Sequence, residues 1–261
     1  MKNSPAVVIL TYNEELNIEK CLKSVAGLAD NVFIVDSYST DKTLEIAKKY
    51  GAKIVQHHFE NQARQFNWAL ENLDIKNEWI LRLDADEYLT NELKTEITEK
   101  LKAVPEEVSG FYIKRRAYFM GKWIKHGGYY PTWILRLFRY GRARSEERAM
   151  DEHIVLSEGK SAKLKNDFID DMKKTLEWWT AKHNDYSTRE AGDVLRGDIG
   201  LGGKRNFYYK LPIFCRPFLY FFYRYFLRLG FLDGKEGMMF HFLQGFWYRF
   251  LVDAKIYEKN K

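Results

Sequence analysis

The chain has 261 residues, 46% hydrophobic and 30% charged, which suffices for one large core and excludes a disordered composition. Its two cysteines, Cys21 and Cys215, lie far apart and outside any CxxC pair, which excludes a disulfide framework or cysteine zinc knuckle and fits a reducing compartment. The net charge of +6 is unevenly spread: residues 204–261 hold eleven Lys/Arg against four Asp/Glu, and the first 203 residues carry −1. A partner that reads positive charge is therefore expected at the C-terminal part. The first apolar run is about five residues long and acids follow it, short of the roughly 7–15 of a secretory signal, so no export is expected.

In chain order, AVVIL (6–10) is a short β-branched run with a buried-strand pattern. EELNIEKCLKSV (14–25) sets Leu16, Ile18, Leu22 and Val25 at helical spacing. NVFIVD (31–36) predicts a second strand, and Ser39 and Asp41 offer an N-cap and an acidic first turn to a helix that stops at Gly51. A strand at 52–57, a helix at 63–73, a strand at 78–84 and a helix at 91–101 complete an alternation that predicts parallel strands with crossover helices.

After Pro105 the pattern changes. Residues 110–121 and 133–141 read as strands around HGGYYPT, 152–159 as a further strand, and 170–191 as a helix. Residues 207–250 hold 18 of the chain's 42 Phe, Trp and Tyr. Within them, 211–232 is very apolar but is interrupted by Arg216, Pro217, Arg224 and Arg228, which argues against a spanning helix of about 20 apolar residues. Two readings fit: a helix in a membrane interface with its guanidinium groups on phosphates, or an aromatic core or dimer contact.

ILRLDADEYL (80–89) ends a strand in three carboxylates, Asp84, Asp86 and Glu87. Residues i and i+2 of a strand share a side, so Asp84 and Asp86 can face one space at the strand's C-terminal end, where open α/β sheets bind ligands. Paired carboxylates repel unless a cation joins them, and hard oxygen ligands favour Mg²⁺ or Mn²⁺ together with substrate phosphates. Taken alone, such a DxD is more readily an acidic cap before a helix. The first strand is followed by TYNEE rather than GxGxxG, which makes a Rossmann dehydrogenase a poor fit and a nucleoside-diphosphate site a better one.

VVILTYNEELNIEKCLKSV, VFIVDSYSTDKT and WILRLDADEYL, in this order and spacing, resemble the family 2 glycosyltransferases of the GT-A fold. The resemblance covers about residues 5–100 and continues through MDEHIV (150–155) toward bacterial enzymes of lipopolysaccharide core or exopolysaccharide assembly. It implies an α/β, mostly parallel central sheet and an inverting, metal-dependent transfer. The expected division is 1–203 for the GT-A domain, with 1–104 as the nucleotide-sugar half and 105–203 as the acceptor half, and 204–261 as a basic, aromatic, amphipathic helical tail.

By the same resemblance Thr11, Tyr12, Glu14, Asp36, Arg64 and Asp84 would bind the donor, a UDP- or GDP-sugar. Asp86 and His153 would bind the metal, Mg²⁺ or Mn²⁺, and Glu152 or Asp151 would take the proton of the attacking hydroxyl. The tail suggests a lipid-linked saccharide acceptor and a peripheral place on the cytoplasmic membrane face. No RNA-recognition motif is present, and no nucleic-acid partner is expected. Two rivals stay open: a transferase that loads sugar onto polyprenyl phosphate, and a homologue that holds a nucleotide-sugar without turnover.

Overall fold

The computed structural model describes residues 4–146, 153–197 and 203–261, which fall into two units: one of residues 4–117 and 131–173, the other of residues 118–130 and 174–261. In the first unit β1 (Ala6–Thr11), β2 (Asn31–Asp36), β3 (Lys53–Gln56) and β4 (Trp79–Asp84) pair in parallel in the order β3-β2-β1-β4. Helices α1 (Ile18–Val25), α2 (Thr43–Lys49) and α3 (Gln62–Asn72) connect them.

Alternate residues of β1 enter two cores. Val7 and Ile9 pack with Ile18, Leu22 and Ala47, while Ala6, Val8 and Leu10 pack with Phe66 and Ala69. Burial on both faces explains the continuous apolar run. The chain adds β2 on one side of β1 and β4 on the other, so the switch in strand order lies between β1 and β4, beside the acids that end β4.

Beyond β4 the sheet continues through β8 (Thr132–Arg139), β6 (Val108–Phe119), β11 (Lys160–Asp170) and β5 (Glu87–Leu89). β8 is antiparallel to both β4 and β6, β11 runs parallel to β6, and β5 is antiparallel to β11. Two of these strands differ from the sequence reading. β5 forms because the chain reverses at Ala85–Asp86, and β11 occupies a stretch to which the sequence reading assigned no element, while the helix predicted for 170–191 begins only at Leu176. α4 (Asn91–Lys100) is capped by the Thr90 hydroxyl, which accepts the Leu93 N–H at 3.2 Å. β9 (Ala143–Ser145) and β10 (Ile154–Leu156) form a separate antiparallel pair.

The second unit takes the end of β6, which turns back at Met120–Gly121 (φ 49° and 80°) into β7 (Lys122–Trp123). It continues with α5 (Leu176–Arg196), α6 (Gly203–Lys210), α7 (Cys215–Phe222), α8 (Gly234–Phe240) and α9 (Tyr248–Lys259). π-helical segments at Tyr223–Leu227 and His241–Trp247 extend α7 and α8. α5 and α9 share a core of Ala191, Tyr248, Val252 and Ile256.

Arg216 and Arg224, predicted to reach lipid phosphates, are bound inside the unit. Arg216 is buried and donates to the Asp253 carboxylate at 2.8 and 2.5 Å. Arg224 donates to the Gly127 carbonyl at 2.7 Å and lies 3.6 Å over the Tyr129 ring. Among the described residues, no helix is long and apolar enough to cross a membrane.

Candidate functional site

The parallel register puts Thr11 opposite Asp36 and Leu10 opposite Asp84. Three of the sequence motifs therefore end at one sheet edge. The loop after β1 is stitched to the loop after β2. The N–H groups of Asn13 and Glu14 donate to the hydroxyls of Ser39 and Thr43 at 2.8 and 2.7 Å, and the Thr40 N–H donates to the Asn13 side chain at 2.8 Å. The hydroxyl-rich VDSYSTDKT thus serves the loop itself, and Asn13 sits at φ 52° to make the turn. This turn also delays α1 to Ile18, later than helical spacing alone suggested.

Asp36 is fully buried and accepts from Thr11, Ser39 and Gln56. One oxygen takes the Thr11 and Ser39 hydroxyls at 3.1 and 2.5 Å, and the other takes the Ser39 N–H and Gln56 Nε2 at 2.9 and 3.1 Å. Those four donors match a carboxylate's acceptor capacity, so Asp36 fixes the shape of the edge. Tyr12 and Tyr38, by contrast, leave more than half of their surface exposed, at 56% and 55%, and both belong to the loops that follow β1 and β2. Tyr38 has φ 62°, an uncommon conformation for an aromatic residue.

Arg64 lies at the start of α3, where its side chain is exposed and paired with Glu60. Its neighbour Gln65 is buried and wired to the edge: it accepts at 2.7 Å from His57 Nδ1, with that proton assigned there, and donates to Ser37 Oγ at 3.2 Å.

The acids at the end of β4 take three different roles. Asp84 lies between two guanidinium groups, Arg136 at 3.1 Å and Arg82 at 3.5 Å. Glu87 is buried, accepts the Asp84 N–H at 3.0 Å and pairs with Arg136. Burial pushes its carboxyl up to about 7 against the opposing pull of Arg136. Asp86 is half-buried; its backbone carbonyl accepts the Asp171 N–H at 3.1 Å, but among the described residues no hydrogen bond or ion pair reaches its carboxylate. Burial first, then the charges of Asp170, Asp84, Glu14 and Glu87, hold its carboxyl well above the usual carboxylate range.

Arg82 and Arg136, 4% and 5% exposed, were missed as site residues by the sequence reading. Their signal was available: each is the lone cation of an Leu-Arg-Leu run inside an apolar strand, and a buried arginine needs a carboxylate. Asp170 was missed because β11 was missed. It pairs with Arg115 at 3.3 Å.

The donor set suits a hard divalent cation. It consists of oxygen ligands, and among the described residues Asp86 is the acid whose carboxylate is left without compensation. Among the described residues no three His, Cys, Asp or Glu side chains are gathered as a ligand cage. A cation here would therefore share Asp86 with substrate phosphates and water, the pattern of Mg²⁺ rather than of an all-protein site. His153 is exposed at the foot of β10.

Asp151 and Glu152 lie outside the described residues. The strands on either side are held by hydrogen bonds. The Glu146 N–H donates to the His153 carbonyl at 2.9 Å, and the buried Asn67 side chain exchanges two 2.9 Å hydrogen bonds with the Ser145 backbone.

Comparison with known proteins bears on the family and the fold. The model of glycosyl transferase family 2 matches residues 6–155. The chain is 30% identical over 267 residues to the lipopolysaccharide core biosynthesis glycosyltransferase LpsC of Rhizobium meliloti, covering 97% of this chain and 91% of that protein. An uncharacterized glycosyltransferase of Rickettsia bellii is 47% identical over 89 residues, 34% of this chain and 30% of that one. Among solved structures, S. aureus TarS 1–349 in complex with UDP-GlcNAc is similar with a TM-score of 0.51 and 15% identity, over 98% of this chain and 92% of that one. That likeness is one of fold, and it agrees with the GT-A architecture expected from the sequence.

Proposed function

The chain belongs to glycosyl transferase family 2, and from that membership we propose that it moves a hexose from a UDP- or GDP-sugar to a lipid-linked saccharide in lipopolysaccharide core or related envelope polysaccharide assembly. The observation that carries the donor half of this reading is the uncompensated Asp86 at the sheet edge where β1, β2 and β4 end. The acceptor half draws on the similarity to LpsC and on the basic, aromatic C-terminal part. The working place that follows is the cytoplasmic face of the membrane, with the protein peripheral to it.

Bound Mg²⁺ or Mn²⁺, held by Asp86, would supply positive charge against the negative charge that builds on the departing nucleoside diphosphate. The chain's own groups do the rest. Tyr12 and Tyr38 offer exposed rings for a base to stack on. Asp84, held by Arg82 and Arg136, keeps a fixed carboxylate for a ribose hydroxyl. Thr11, Asp36 and Glu14 act by shaping the loop against which the nucleotide lies. Glu152 or Asp151 takes the acceptor hydroxyl's proton as the new bond forms on the face opposite the leaving group, which inverts the anomeric centre. Arg64 and His153, both exposed, remain proposed contacts to nucleotide and metal.

Incubating the protein with UDP-, GDP- and dTDP-sugars and Mn²⁺ tests the reading. Slow release of one nucleoside diphosphate, increased by a lipid-linked acceptor, is the expected result. Binding of a donor with no release under either condition would instead indicate a nucleotide-sugar-binding protein. Wild-type rates in both Glu152→Gln and Asp151→Asn would indicate transfer to a phosphate that needs no base, as in polyprenyl-phosphate loading.

A second expectation concerns Asn67. Asn67→Ala leaves the Ser145 N–H and carbonyl without partners in a buried place, which costs roughly 2–4 kcal/mol. Because Ser145 ends the strand that leads into residues 151 and 152, kcat should fall more than donor affinity. Steady-state kinetics below the melting transition measure both, and equal losses in the two would separate Asn67 from the base segment.

A further inference from the structure

We propose that the second unit docks on an anionic lipid bilayer through an apolar wedge formed by α7, the Tyr223–Leu227 segment and the turn at 229–233, an inference that rests on the proposed membrane-borne acceptor. Phe218, Phe222, Phe226, Leu227, Leu229 and Leu232 are each 46–64% exposed. Ring contacts make the aromatic part continuous: Phe222 to Phe226 at 5.1 Å, Phe226 to Phe221 at 6.5 Å, Phe221 to Phe246 at 6.4 Å and Phe246 to Phe218 at 4.6 Å. A contiguous exposed apolar surface of this kind marks an interaction site, whereas scattered residues would not.

The shape of the turn is imposed. Leu229 adopts φ 60°, a strained conformation for leucine, yet its side chain is nearly half exposed. The Gly127 N–H donates to the Arg228 carbonyl at 2.8 Å. A Cβ at Gly230 would come within 2.6 Å of His241 Nε2, so glycine is required there. The fold thus holds the turn in place and presents Leu227, Leu229 and Leu232 to whatever lies outside.

Charge identifies the occupant. Residues 204–232 contain six Lys/Arg and no Asp or Glu. Arg216 and Arg224 are turned inward, so they do not break the apolar surface, while Arg228 is exposed between Leu227 and Leu229. An exposed cation flanked by leucines fits a leaflet of acyl chains and anionic headgroups. A second copy of the same surface would offer Arg228 no carboxylate from residues 204–232. Since no described helix can span the bilayer, the insertion is shallow.

Flotation of the full chain with vesicles of phosphatidylcholine and phosphatidylglycerol (7:3) tests the proposal, comparing wild type with the double variant Leu227→Ser, Leu229→Asn. Asparagine tolerates the left-handed backbone at 229. Wild type should float, and the variant should lose about tenfold or more in partition coefficient with an unchanged melting temperature and unchanged donor hydrolysis. Equal flotation of the two proteins overturns the wedge. So does a wild type that stays with the soluble fraction, and sedimentation showing self-association that the variant abolishes would then assign the surface to a second copy. Donor hydrolysis is read in parallel: hydrolysis without flotation sinks the wedge alone, and flotation without hydrolysis or transfer sinks the transferase reading alone.

Discussion

Asp86→Asn is expected to lower metal-dependent sugar transfer by roughly 10²–10³-fold while raising the melting temperature of the metal-free protein. Both effects follow from one observation. Asp86 has no described cation, and burial together with four neighbouring acids raises its carboxyl. A carboxylate whose folded value lies above its unfolded value subtracts from stability as pH rises through the unfolded value, up to the folded one. Near neutral pH the wild type bears that cost, and the amide removes it. Adding Mn²⁺ with a nucleoside diphosphate should reverse the order, because a ligand that binds only the folded state stabilises it. Thermal melts of both proteins, with and without metal and nucleotide, check this directly. A variant that melts lower than wild type without metal would mean that Asp86 has a structural partner.

Arg136→Met should be the most damaging single change to the fold of the first unit, costing about 3–5 kcal/mol. One guanidinium serves both Asp84 and Glu87, and methionine leaves the buried Glu87 with no counter-charge from Arg136. The loss should depend on pH. Glu87 already sits at about 7 with Arg136 present, and without it the carboxyl rises further. The variant's deficit should therefore be largest above neutral pH and shrink toward pH 5, where Glu87 is protonated in both proteins. The second change Glu87→Gln should recover part of the lost stability at pH 8. Denaturant unfolding of the two variants at pH 5 and pH 8 provides the comparison, and a pH-independent deficit would attribute the cost to lost packing instead.

The parallel half of the sheet was legible because its strands are buried on both faces and so read as short apolar runs, as in AVVIL and NVFIVD. β11 was illegible for the opposite reason. Much of KSAKLKNDFID is exposed or partly exposed, with only Leu164, Asp167 and Phe168 buried, so its apolar signal is thin. The cluster Asp84, Asp86 and Glu87 could be seen as a cluster, but its division of labour could not. Glu87 and Asp84 are matched to Arg136, about fifty residues later in the chain, and only the fold shows that Asp86 is the acid left over. The C-terminal arginines illustrate the same limit. Arg216 finds its carboxylate 37 residues away in Asp253, so a charge read as facing lipid turned out to lie inside.

Calorimetric titration of UDP- and GDP-sugars into wild type and Asp86→Asn, each with and without Mn²⁺, tests the central claim most directly. The account predicts binding of one donor that requires Mn²⁺ in the wild type and is lost or at least tenfold weaker, about 1.4 kcal/mol, in the variant. Binding of equal affinity in both proteins, with or without metal, would contradict it and remove Asp86 from the donor site.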